Sequence, residues 1–169
     1  MSDKTTFTAE EWSRLLSSPL ITGIAITAAD PSGVWGLLKE GMAGGSALLE
    51  ARQNSQANPL VRAVAEDFAT SEGRSAAKAA LHAKFSGTTF TDLKNTALSE
   101  LKAVASVLDG KSPEDSVAFK TWLQQVAMKA AEAGTEGGFL GFGGVAVSEA
   151  EKSTLAEIAA ALGRQSASA

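Results

Sequence analysis

Apolar residues recur along this chain at three- and four-residue spacing, the period of a helix with one buried face. Trp12, Leu15 and Leu16 form the first stripe, and Leu20, Ile21, Ile24, Ala25 and Ala28 the second. Leu60, Val61, Val64 and Phe68 make another, followed by Ala77, Leu81 and Phe85 after a break near Ser71 to Gly73. Leu93, Ala97, Leu101, Val104 and Leu108 give a clean seam. Phe119, Trp122, Leu123, Val126 and Ala130 line one side of a later helix, and Leu155, Ile158, Ala159 and Leu162 one side of the last. No segment of four or more residues alternates as a half-buried strand does.

The boundaries are set by capping chemistry. Each of the four prolines follows a good cap: Ser18-Pro19, Asp30-Pro31, Asn58-Pro59 and Ser112-Pro113. A cap oxygen accepts a bond from an orphan amide, while proline at the first helical position has no N–H to leave unsatisfied, so all four read as helix starts. Thr8-Ala-Glu-Glu11 and Ser148-Glu-Ala-Glu151 have the form of capping boxes. A helix from Pro31 to about Arg52 is weakened by Gly41, Gly44 and Gly45 and is expected to kink there or to admit a close neighbour. Asp109-Gly110 suits a left-handed cap at the end of the Leu93 to Leu108 seam. The pattern predicts an all-α fold, a compact bundle of about eight helices in antiparallel hairpins, occupying residues 1–164 with a flexible tail at 165–169.

Composition adds limits. At 169 residues one domain can bury roughly 70% of its unfolded surface. Tyrosine is absent, so strands lack a favoured residue. Cysteine is absent too, which removes disulfides, thiolate metal sites and cysteine nucleophiles. With Lys+Arg 15 against Asp+Glu 19 and no basic cluster, nothing draws the chain to nucleic acid. The amino-terminal residues lack a signal-peptide pattern and no apolar run reaches membrane-spanning length, so a cytoplasmic protein is expected.

Catalytic groups are scarce. His82 is the only histidine; Ala79 stands where a Glu-x-x-His metal motif needs its acid, so His82 reads as a helix-surface residue. No Gly-x-Ser-x-Gly elbow is present. Glu66-Asp67 and Glu114-Asp115 read as solvated faces, and Asp30 as a cap. Glu149 and Glu151 suit the first turn of the last helix, where the dipole favours acids.

The unusual stretch is EGGFLGFGGVAVSEAEK, residues 136 to 152, with five of the chain's 16 glycines. It lacks both the dinucleotide fingerprint and Gly-Lys-Ser/Thr, and the acids at 149 and 151 would repel a phosphate at that helix start. Two readings stand. Phe139, Leu140 and Phe142 fold back as a lid on the bundle, or they point outward as an adhesive surface for a protein partner, a second copy or a membrane surface.

Val147-Ser148-Glu149-Ala150-Glu151, continued by Leu155, Ile158, Ala159 and Leu162-Gly163, resembles the late segment of the tellurite-resistance TerB-like domain. Ala28-Ala29-Asp30-Pro31-Ser32-Gly33 is similar to that family's early Ala-Asp-Gly loop. The resemblance covers roughly a quarter of the chain and implies an all-helical, stress-related domain whose acidic loop and helix residues bind divalent metal. By residue, only Asp30, Glu149 and Glu151 carry that over. Gly144 stands where the family places an aspartate, which removes a charged oxygen ligand, and Pro31-Ser32 interrupt the early match.

The expectation is therefore a non-enzymatic helical module that acts by interaction, with Phe139, Leu140 and Phe142 as its contact residues. The alternative is a divalent-cation-binding domain using Asp30, Glu149 and Glu151.

Overall fold

The structure is a computed structural model that describes residues 2–29, 36–135 and 147–163, apart from the side chains of 36–44 and 134–135. It is all-α, with no strand among the described residues. A single 3-10 turn, Lys4–Thr6, precedes seven helices: α1 (Ala9–Thr27), α2 (Gly36–Gln53), α3 (Pro59–Phe68), α4 (Ser71–Phe85), α5 (Phe90–Lys111), α6 (Pro113–Thr135) and α7 (Glu149–Ala161).

Helix α1 is the axis of the bundle and touches all six others. Its Leu15, Leu16, Ile21, Ala25 and Ile26 are almost wholly buried, and each large side chain among them is worth roughly 1.5–3 kcal/mol on leaving water. Beyond its first turns this axial helix has little wet face for polar groups, so its buried hydroxyls turn to their own backbone. Ser17 donates to the Arg14 carbonyl, Thr22 to that of Ser18 and Thr27 to that of Gly23.

This arrangement corrects the reading of Ser18-Pro19 as a helix start. Pro19 lies inside α1, so the first two expected helices are one and the count is seven among the described residues. A proline here deprives the Leu15 carbonyl of its normal amide donor. Ser18 supplies the substitute, its hydroxyl donating to Leu15 O at 2.7 Å. The apolar stripe continues on both sides, and burial against six helices outweighs the lost ladder bond.

The other readable starts are borne out. Asn58 caps α3, its Oδ1 accepting from the Leu60 amide at 2.9 Å, with Pro59 at the first helical position. Pro113 opens α6. Both capping boxes form: Thr8 with Glu11, and Ser148 with Glu151. The start expected at Asp30-Pro31 lies outside the described residues. Helix α2 continues through Gly41, Gly44 and Gly45, and a Cβ at Gly45 would meet no atom within 4 Å, so no helix presses on Gly45.

Gly110 is a second correction. It is helical, and α5 runs on to Lys111 because Pro113, by restricting Ser112 (φ −145°, ψ 59°), sets the stop instead. Among the described residues the left-handed glycines are Gly87 and Gly163, just beyond α4 and α7. Gly73 has a different role. It sits in the first turn of α4, where a Cβ would fall on the Asp67 carbonyl, so the sharp α3–α4 corner requires glycine.

Candidate interaction surface

Helices α2 and α6 pack side by side but leave a cleft of about 670 Å³ between the second half of α2, the start of α3 and the middle of α6. Small side chains create it. Ala47 and Ala51 on α2 and Ala118 on α6 stand where larger residues would close the gap. The floor is apolar, completed by Val61, Trp122 and Val126, all buried. Trp122 is held by an edge contact with Phe119, ring centroids 5.2 Å apart at 76°.

The rim is polar. Gln53 and Asn54 come from the end of α2, and Thr121 and Gln125 from α6. Glu50 and Lys129 face each other across the cleft and form an ion pair. Among the described residues four large hydrophobic side chains are exposed: Leu49 (51%), Phe90 (40%), Val117 (65%) and Met128 (45%). Three of these four belong to α2 or α6. Val117, Thr121, Gln125 and Met128 follow one another at helical spacing, so the exposed apolar residues of α6 continue the stripe that forms the rim.

A second hollow, of about 450 Å³, lies between α1 and α4 over Ala76, Ala80 and Ala83. Beside it Arg14 pairs with Glu100 at 3.3 Å and Lys84 with the same carboxylate at 3.6 Å. Glu10, which also pairs with Arg14, balances the second cation, and among the described residues no large exposed apolar side chain borders the hollow.

The acids expected to be solvated divide differently. Glu66 and Glu114 are exposed, but Asp115 is only 4% exposed and Asp67 is partly buried. Asp115 takes the Ser2 amide at 2.9 Å, the Asn58 Nδ2 at 2.9 Å and the Ser112 hydroxyl at 3.1 Å. It thereby joins the amino-terminal segment, the cap of α3 and the first turn of α6. Burial raises its carboxyl, but these donors outweigh burial and hold it below its ordinary 3.8. At Asp67, burial is likewise outweighed by the Trp12 indole and the Lys4 ammonium, and that group too is lowered. Asp109 is lowered first by Lys120, whose Nζ lies 2.7 Å from both its oxygens, and then by Ser116. Local periodicity carries no sign of Ser2 and Asn58 at Asp115 or of Trp12 and Lys4 at Asp67, which come from distant segments.

Of the residues singled out in the sequence, Phe139, Leu140, Phe142 and Asp30 lie outside the described residues. Glu149 is exposed and bonded to Lys152 at 2.7 Å. Glu151 is buried and accepts the Ser148 amide at 2.8 Å. Both acids thus have local partners, and among the described residues no group of three or more His, Asp or Glu side chains gathers for a metal ion. His82 is exposed in the last turn of α4, as expected. The cleft itself was not anticipated; its trace in the sequence is the pairing of small residues on α2 and α6 with an amide-rich run, Gln53-Asn54-Ser55-Gln56, before Asn58-Pro59.

The chain matches no known family model, no curated protein and no solved structure. No helix of the described residues is long and apolar enough to cross a membrane.

Proposed function

We propose that this chain is a non-enzymatic helical module that works by binding another protein, and that the α2–α6 cleft forms part of its contact surface. The observation that carries the reading is the coincidence, on one pair of helices, of an apolar floor, a polar rim whose two charges are paired with each other, and three of the four exposed large hydrophobic side chains described. An aromatic anchor ringed by polar side chains is the usual anatomy of a protein contact. The engaged acids support it from the other side: Asp67 and Asp115 tie distant segments together, Asp109 pairs with Lys120, and Glu151 closes the capping box of α7, which leaves them unsuited to proton transfer. Phe139, Leu140 and Phe142 remain the second set of contact residues in this proposal. The setting proposed is the cytoplasm, on the absence of cysteine, and a role in stress response rests on the TerB-like resemblance alone.

The test uses two variants, Ala118→Arg with Gln125→Arg to fill the cleft, and Phe139, Leu140 and Phe142 all changed to serine. Partners are recovered by affinity capture and quantified, with circular dichroism to confirm the fold. Loss of a protein partner in either variant, with helicity intact, supports the reading. Retention of every partner by both contradicts it, and vesicle binding abolished by the same changes would reassign the surface to membranes.

A further inference from the structure

We infer that the α2–α6 face packs against the same face of a second copy of this chain about a two-fold axis. The inference rests on the protein-binding reading above and names the partner. Three features of the face favour its own copy over an unrelated protein.

First, the face carries both halves of a fit. The cleft floored by Trp122 is a hole for a large apolar side chain, and Met128 and Val117 on the rim stripe, with Leu49 on α2, are knobs of suitable size. In an isologous contact each copy donates a knob and receives one, so a surface bearing both is complementary to itself. Secondly, its charges are self-complementary. The cleft is lined by one acid and one base, Glu50 and Lys129, held opposite one another by their ion pair. A two-fold axis passing between the two residues sets Glu50 of each copy against Lys129 of the other, so neither charge meets its like. Thirdly, the side-chain amides of the rim, Gln53, Asn54 and Gln125, each carry donors as well as acceptors, and such groups pair with identical groups without penalty. The hollow between α1 and α4 has no exposed apolar shoulder, which confines the inference to one face.

Sedimentation of the whole chain from about 1 to 300 µM decides the matter. The expected result is a monomer–dimer equilibrium for the wild type, weakened at least about tenfold by Met128→Glu or Leu49→Glu and unchanged by Phe90→Glu, which alters an exposed hydrophobic residue on α5. A charge exchange tests the symmetry. Glu50→Lys places lysine against lysine and Lys129→Glu places glutamate against glutamate, so each variant alone should be monomeric. Mixed in equal amounts they should form a heterodimer, because both cross-copy pairs become attractive again. Thermal melting of every variant checks that these exposed changes leave the fold intact. A wild type that stays monomeric across the range, a dimer indifferent to Met128→Glu and Leu49→Glu, or a charge-exchange mixture that fails to associate overturns the inference. A monomeric wild type would leave the broader reading standing, since that fails only if the cleft-filling and serine variants keep every partner.

Discussion

The indole N–H of Trp12 donates to the carboxylate of Asp67 at 2.5 Å across 55 residues of sequence. It fixes the start of α1 to the end of α3, and Asp67 also receives Lys4 at 3.0 Å, so the amino-terminal turn is tied to the same point. Trp12 is 3% exposed and packs against Phe7, the ring centroids 5.9 Å apart and the planes tilted by 34°, so Asp67 is the partner of an otherwise buried indole. Asp67→Ala should cost about 1.5–3 kcal/mol, the range for a hydrogen bond to a charged group, whereas Lys4→Ala should cost under about 1 kcal/mol because that lysine is well exposed. Urea unfolding of the two variants measures the contrast.

Asp115 governs the acid limb of stability. Its folded pKa is depressed, so its contribution is present above the ordinary value of 3.8 and is lost as pH falls through the lower folded value. Asp67 and Asp109 act with the same sign. Asp115→Asn should flatten the loss of stability below about pH 4 relative to wild type. At neutral pH the same variant should be less stable by about 1–3 kcal/mol, since an amide cannot accept all three donors as the carboxylate does. Denaturant melts at stepped pH values check both.

Ser18 and Pro19 should be coupled. Ser18→Ala removes the donor at the Leu15 carbonyl and leaves a buried acceptor unpaired, a loss of about 1–3 kcal/mol. In a Pro19→Ala background the restored amide can donate instead, so the serine should cost much less. A double-mutant cycle with no coupling would contradict this account of α1.

The glycines separate by position. Gly110→Ala should stabilise by up to about 1 kcal/mol, because the residue is helical and a Cβ there would meet no atom within 4 Å. Gly73→Ala should destabilise by about 1–3 kcal/mol, because its Cβ collides with backbone that cannot give way. Melting temperatures should therefore move in opposite directions, by roughly 2–4 °C per kcal/mol for a domain of this size.

Calcium, magnesium and manganese at millimolar concentration bear on the alternative use of Asp30, Glu149 and Glu151. With Glu149 bonded to Lys152 and Glu151 to the Ser148 amide, no rise in melting temperature and no binding heat are expected.

Much of the fold was legible because helices announce themselves locally. The caps at Thr8, Asn58 and Ser148 and the stripe from Phe119 to Ala130 need only a few neighbouring residues to be recognised, and each sits where its pattern put it. The misreadings share one cause. Pro19 looked like a start because the burial of α1 against six helices has no local signature, and Asp67 and Asp115 looked solvated because their partners lie 55 and 57 residues away. The cleft was illegible for the same reason: it depends on two alanine-bearing helix faces meeting, and sequence spacing within either helix cannot reveal the meeting. The Phe139 to Phe142 segment was conspicuous in the sequence and lies outside the described residues.

The central claim is that the α2–α6 face contacts protein. Site-specific photo-crosslinking in cells tests it most directly, with the crosslinker at Gln125 on the cleft rim and, for comparison, at exposed Lys102 on α5. The account predicts discrete adducts carrying peptides of a protein, a second copy included, from position 125 and none from position 102. No adduct from 125, or equal yields from both, would contradict it.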